Sequence, residues 1–199
     1  FYTTPRQAMM LIIVPTLVTN FLQFYRSADR INMVLSNKFL LASLFVCTFT
    51  FSFFSFSLEQ KTLSFLLGLI ILIFVIYRWS RVSPSFGLGF DKTLQVGSGA
   101  IIGTAAGFTH VWAPTIAVLL VIRKANKEQF VALTGLFIFV GSIGLFFTHY
   151  LFDLLDRQSL IFSTLMILPS IVGFLIGEKI RYFISEKLFE TLLMFFLLI

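Results

Sequence analysis

The chain has 199 residues, of which 58% are hydrophobic and only 12% are charged, and its mean hydropathy is +0.96. Soluble domains carry about 25% charged residues, so this composition excludes an ordinary soluble domain and predicts a polytopic membrane protein. The net charge of +6 lies on short connectors, where it indicates membrane orientation and contact with anionic lipid rather than nucleic-acid binding. The single cysteine, Cys47, excludes an internal disulfide.

Seven hydrophobic segments follow one another along the chain. A membrane-spanning helix needs about 20 mostly apolar residues, and all-α architecture is therefore expected. The run of Phe and Ser over 49–57 alternates like a strand, but its surroundings favour a helix with one serine-lined face. The segments are A, 7–25; B, 39–57; C, 63–80; D, 94–122; E, 129–151; F, 159–180; and G, 186–199.

Segment A carries two amides on one face, Asn20 and Gln23, three residues apart. An amide in hydrocarbon needs hydrogen-bond partners, so these side chains either join neighbouring helices or line a polar cavity. Ser142 is the counterpart of Asn20 in segment E. We expect Asn20, Gln23 and Ser142 to bind substrate, with interhelical hydrogen bonding as the alternative.

Segment D is too long and too irregular for one simple crossing. Its 29 residues would form a helix of about 43 Å, and Pro114 disfavours helix at the preceding residue. The segment is therefore either one long kinked helix or two half-helices, 94–108 and 113–122, that meet inside the membrane and return to the starting side.

The basic residues favour the returning arrangement. If segment D crosses, the two sides of the membrane carry seven and eight Lys and Arg residues, which shows no bias. If it returns as a re-entrant hairpin, the division becomes twelve to three. Cytoplasmic loops carry the excess of Lys and Arg, so the sequence predicts a hairpin with both ends in the cytoplasm.

Thr109 and His110 lie at the predicted break. Backbone freed at membrane depth must be buried by protein or line a wet cavity, and the start of the second half-helix offers N–H groups and a positive dipole end to an anion. His110 could donate to that anion or carry a proton, or it could simply bond a neighbouring carbonyl. We expect substrate-binding residues here, whereas His149, near the end of segment E, is expected to be structural. The expected residues at the break are Gly107, Thr109, His110 and Pro114.

Small residues recur on one face of segment D. Gly99, Gly103 and Gly107 are spaced by four, which favours close helix packing and also allows backbone to approach a ligand. We expect Gly99 and Gly103, and in segment F Gly173 and Gly177, to serve helix packing.

If segment D is a hairpin, segments A and E cross the membrane in opposite directions. This arrangement predicts an inverted repeat. A shift of 122 positions brings Gln7 onto Gln129 and Phe24 onto Phe146, and it places B and C on F and G. Each repeat would hold a re-entrant or broken helix and three transmembrane helices, as in many secondary transporters. The expected units are a first repeat, 1–80, whose hairpin lies upstream of residue 1; a connector, 81–93; and a second repeat, 94–199.

Segment D also resembles a glycine-rich motif of the sulfite exporter TauE/SafE family. The resemblance is good over 97–190 and looser over 5–70, where it includes Asn20. It implies a transporter of small sulfur-containing anions such as sulfite or organosulfonates. The family often has glycines where this chain has His110, Trp112 and Ala113. The residues that carry the resemblance are Gly99, Gly103, Gly107, Thr109 and Pro114, with Gly173 and Gly177 later.

The sequence therefore predicts a secondary transporter for a small anion, working by alternating access in the cell membrane. A membrane scaffold or accessory subunit that transports nothing is the alternative. No serine-protease motif, metal-ligand cluster or phosphate loop is present, so neither an enzyme nor a cofactor or bound metal is expected. The expected partners are the anion and the lipid bilayer; a coupling ion, proton or sodium, and a homo-oligomer are left open.

Overall fold

The computed structural model describes residues 5–55, 91–152 and 157–185, together with isolated positions within 58–72 and 188–192; for 5–9 it describes the backbone alone. Eight α-helices lie within the three ranges, and no strand occurs among the described residues. The helices are α1, Pro5–Tyr25; α2, Arg30–Ser36; α3, Lys38–Ser55; α4, Lys92–Thr109; α5, Ala113–Ile122; α6, Lys127–Leu151; α7, Arg157–Leu165; and α8, Ile167–Phe183.

The helices α1, α3 and α6 confirm segments A, B and E, and the all-α fold is confirmed for the described residues. The helical form of the Phe and Ser run is confirmed as far as Ser55. Segments C and G and the connector 81–93 lie largely outside the described residues. Among the described helices, three are long and apolar enough to cross a membrane: Lys38–Ser55, Lys127–Leu151, and Arg157–Phe183 counted across a one-residue interruption.

Two helix boundaries follow directly from local chemistry. Asn126 and Gln129 form a reciprocal capping box at the start of α6, where the Gln129 N–H donates to Asn126 Oδ1 at 2.9 Å. Segment F, expected as one helix, is interrupted at Met166. The cause is Pro169, which lacks the N–H that would bond the Leu165 carbonyl.

Close packing of small residues joins α3 and α4. A Cβ atom at Gly103 would lie 2.6 Å from the Leu44 carbonyl oxygen, and one at Gly107 would lie 3.0 Å from the Thr48 carbonyl oxygen. Only glycine allows backbones to approach this closely. Because the contacts advance in the same direction along both helices, α3 and α4 run parallel.

The helix α6 packs between α1 and α3. Gln23 Nε2 donates to the Val131 carbonyl at 2.5 Å, and the rings of Phe21 and Phe139 lie 5.2 Å apart, so α1 and α6 run antiparallel. On its other side, Thr148 Oγ1 donates to Gly144 and also lies 3.4 Å from the Phe49 carbonyl of α3. The helix α6 therefore carries contacts with α1 near its start and with the end of α3 near its own end.

Both outer ends of the α4–α5 segment lie beside the start of α3. Lys92 Nζ, at the beginning of α4, lies 4.8 Å from the centre of the Phe39 ring. Arg123, which follows α5, donates from Nη1 to Asn37 Oδ1 at 2.7 Å, and both residues are buried. Burial lowers the pKa of the Arg123 guanidinium, but arginine stays protonated in proteins, so a buried cation holds the end of α5 to α3.

Candidate functional site

The helix break lies where the sequence predicted it, between Thr109 and Ala113. The Thr109 hydroxyl donates to the Ala105 carbonyl at 2.7 Å and accepts from the Val111 N–H at 3.2 Å, so it satisfies backbone groups on both sides of the helix end. Pro114 occupies the first turn of α5, where its missing N–H breaks no helical bond. The geometry therefore gives both residues a clear part in forming the break.

His110 ends α4 in a left-handed backbone conformation, with φ of 59°. This position usually holds glycine, and a residue with a side chain costs about 1–3 kcal/mol there. Both ring nitrogens of His110 are buried and have no hydrogen-bond partner in the described part of the chain. A strained backbone that carries a buried imidazole without partners is typical of a binding site.

Three hydroxyl groups near the break share this property. The buried side-chain oxygens of Thr48, Ser52 and Ser142 have no hydrogen-bond partner among the described residues. Thr48 and Ser52 flank Gly107, the last glycine of α4, because their backbone atoms lie 3.0 Å from the position of a Cβ there. We call His110, Thr48, Ser52 and Ser142 the tip site: Thr48 and Ser52 lie beside the end of α4, and Ser142 follows Gly141, which packs against Trp112 in the break.

The helix α6 also borders the tip site, in addition to α3 and α4. The rings of His110 and His149 lie 5.4 Å apart and nearly perpendicular. A Cβ at Gly141 would overlap the Trp112 ring, which shows how closely the residues of the break press on α6. Ser142 and His149 are seven positions apart, so they share one face of this helix.

Asn20 and Gln23 lie away from the tip site. Both contact Gly135 in α6, which is 14 residues from His149, or about 21 Å along the helix axis. Asn20 Nδ2 donates to the Thr16 carbonyl of its own helix at 2.8 Å, whereas Gln23 joins α1 to α6. The structure therefore does not bring these amides together with His110, and their role in substrate binding stays a prediction.

Gln23 instead lines a cavity of about 630 Å³ at the opposite end of α6. We call it the mouth cavity; the end of α1, the start of α6 and the second half of α8 form its walls. Gly177 also lines it, and a Cβ atom added at Gly173 or Gly177 would meet no atom within 4 Å among the described residues. Their expected packing role stays a prediction, unlike the close contacts seen at Gly99 and Gly103.

Ion pairs cross the mouth cavity. Arg26 Nε lies 3.2 Å from Glu178 Oε1, and Arg181 Nη2 lies 3.5 Å from Glu128 Oε2. Lys127 Nζ donates to the Ile184 carbonyl at the end of α8. The charges thus link α8 to α1 and α6, and each guanidinium has a carboxylate within reach.

Sequence reasoning missed Thr48, Ser52 and His149 as members of this region. The serine-lined face of the Phe and Ser run was the available signal for Ser52, but nothing in the sequence placed that face against α4. No three His, Cys, Asp or Glu side chains come together among the described residues, so the described part offers no cluster for a metal ion.

A broken helix with buried polar groups at its break, set among long apolar helices, is typical of membrane transport proteins. The profile of the sulfite exporter TauE/SafE family matches residues 1–199, and the chain belongs to this family. The resemblance predicted from segment D is confirmed and extends over the whole chain. No curated protein and no solved structure matches the chain significantly.

Membership confirms two further predictions. The family comprises membrane transporters of sulfur-containing anions, so the chain is an integral membrane protein of a transport class. The family is not a class of enzymes, in agreement with the expectation drawn from the missing catalytic motifs.

Proposed function

We propose that this chain is a secondary transporter that binds a small sulfur-containing anion, sulfite or an organosulfonate, at the tip site. The observation that carries the proposal is the group of buried polar atoms without partners around the helix break: both nitrogens of His110 and the hydroxyls of Thr48, Ser52 and Ser142. A buried polar group left unpaired costs about 1–3 kcal/mol, so four such residues in one place favour a bound polar ligand.

An oxyanion fits these groups chemically. Hydroxyl groups and a ring N–H can all donate, and a small oxyanion offers several acceptor oxygens. Hydrogen bonds to a charged acceptor contribute roughly 1.5–3 kcal/mol each. The first turn of α5 adds backbone N–H groups and the positive end of a helix dipole. The four residues of the tip site are a histidine, a threonine and two serines, and none of them carries a negative charge.

We infer alternating access from the arrangement of the segments. The contacts of Lys92 and Arg123 with the start of α3 support a re-entrant hairpin whose two ends lie on one side of the membrane. The antiparallel course of α1 and α6 supports an inverted repeat, because segments A and E are its predicted counterparts. In such repeats the substrate site lies where a broken helix meets the other unit.

Gln23 belongs to the path rather than the tip site in this proposal. It lines the mouth cavity, and Asn20 lies one turn further into the α1–α6 seam. The anion would pass these amides between the mouth cavity and the tip site. A proton or sodium gradient would drive the movement, and the protein would act in the cell membrane.

Flux of sulfite into proteoliposomes tests the proposal against a membrane scaffold that transports nothing. We expect saturable flux that imposed proton or sodium gradients change, and we expect Ser142→Ala to raise the KM for sulfite. Thr109→Val must be compared with Thr109→Ser, because the Thr109 hydroxyl also satisfies the backbone at the break. Absence of flux for sulfite and for organosulfonates from the folded protein would contradict the proposal.

A further inference from the structure

His149 is buried at a place where a histidine could easily reach the surface. It lies near the end of α6, and its neighbours Tyr150 and Leu151 are 65% and 61% exposed, whereas His149 is 2% exposed. Burying a polar ring is costly unless its nitrogens are hydrogen-bonded. The contacts that the ring makes inside the bundle therefore matter for its role.

One hydrogen bond fixes the orientation of the His149 ring. Its Nδ1 lies 2.7 Å from the Leu145 carbonyl oxygen, and since a carbonyl can only accept, Nδ1 carries the proton. The bond runs along the helix and aligns the ring with the axis of α6. The ring can then present its edge or face to the helix break without further adjustment.

The ring of His149 is what the His110 ring packs against. The two rings lie 5.4 Å apart at 83°, an edge-to-face arrangement that aromatic rings favour. Neither nitrogen of His110 has a hydrogen-bond partner among the described residues. The His110 ring is thus held by packing alone, and both of its nitrogens stay available to a ligand.

We propose that His149 is a positioning residue of the anion site: it holds the His110 imidazole edge-to-face, so that the His110 nitrogens face the bound anion. The inference rests on the proposed function and assigns a role to a residue that the sequence marked as structural. In this proposal His149 acts through His110, whose ring it contacts, and its Nδ1 proton is donated to the Leu145 carbonyl. Its effect should therefore disappear when His110 is removed.

A matched pair of variants distinguishes the effect of the aromatic ring at position 149 from the effect of side-chain volume. His149→Leu removes the ring and His149→Phe retains one, while both remove the bond to Leu145. We expect His149→Leu to raise the KM for sulfite flux in proteoliposomes about tenfold, equivalent to about 1.4 kcal/mol, with little change in maximal rate. His149→Phe should stay within about threefold of wild type, since the edge-to-face contact survives. Tyr150→Ala, on the exposed face of α6, is the control.

A double-mutant cycle with His110→Ala decides between positioning and general support of the fold. We expect His149→Leu to add nothing to the KM of His110→Ala. Additive effects, or equal KM values for the Leu and Phe variants, would overturn the positioning role while leaving the anion site in place. A wild-type KM for His110→Ala would instead remove His110 from the site and the proposal with it.

Discussion

The two ends of α6 show opposite ways of handling polar groups. At the tip site the polar side chains are neutral hydroxyls and an imidazole, buried without partners among the described residues. The lining of the mouth cavity combines neutral polar groups such as Gln23 with charged side chains, and each arginine has a glutamate nearby. Charges that are satisfied by one another can border an open cavity at little cost, whereas unsatisfied neutral donors are stable only if a ligand or water completes them.

This difference bears on which of the two regions is the better candidate for the substrate site. The mouth cavity encloses about 630 Å³, yet its lining holds more carboxylates than guanidinium groups. The buried polar side chains of the tip site carry no negative charge and have no hydrogen-bond partner among the described residues. Volume would favour the mouth cavity as the substrate site, and chemistry favours the tip site.

The largest expected effect is an all-or-none difference in labelling of two cysteines. In a Cys47→Ala background, Lys61→Cys should react with a membrane-impermeant thiol reagent applied outside the cell, and Lys124→Cys should not. The reason is that Lys124 follows α5 at the predicted cytoplasmic end of the hairpin, on the side of the mouth cavity. Labelling of position 124 from outside would show that segment D crosses the membrane. It would also contradict the inverted repeat, which depends on the hairpin.

A large side chain on the glycine face of α4 should push α4 away from α3 and so disrupt the tip site. Gly103→Leu places a side chain where a Cβ atom would already lie 2.6 Å from the Leu44 carbonyl oxygen. Overpacking of this kind costs about 1–3 kcal/mol or more, and the backbone of α3 cannot yield as a side chain can. We expect a clear loss of thermal stability in detergent.

Gly97→Leu is the control for that change, because it lies on the same helix with no described atom within 4 Å of its Cβ position. It should leave the melting temperature close to that of the wild type. Equal stability of the two leucine variants would mean that the close approach of α3 and α4 does not support the tip site.

The smallest effect is expected at the mouth cavity. Arg26 is half exposed although Glu178 is only 12% exposed, and ion pairs open to solvent on one side contribute about 0–1 kcal/mol. Glu178→Gln should therefore change stability and the KM for sulfite only slightly, and the change should shrink further at high salt. A tenfold or larger change in KM would move the substrate site toward the mouth cavity.

The break could be predicted from sequence because its causes are local. Pro114 and the length of segment D are visible in the chain itself, and the same reasoning applied to Pro169 would have found the interruption at Met166. The close packing of Gly103 was likewise predictable from spacing, although its partner was not.

The members of the tip site could not be predicted in full, because they depend on which helices become neighbours. Ser52 lies beside the end of α4 because α3 runs parallel to α4. His149 reaches the His110 ring because α6 packs on the other side of the break. Asn20 shows the same limit, because the sequence shows a polar residue inside a span but not its height along the bundle, and the structure places it near Gly135 and away from the break.

Thermal stabilisation of the purified protein by sulfite tests the central claim most directly, because a ligand that binds only the folded state raises the melting temperature by an amount that grows with the logarithm of its concentration divided by its Kd. We predict that sulfite stabilises the wild type and Glu178→Gln equally, and that the shift falls sharply in Ser52→Ala and in His110→Ala. The tip site would be contradicted if both tip variants kept the wild-type shift while Glu178→Gln lost it.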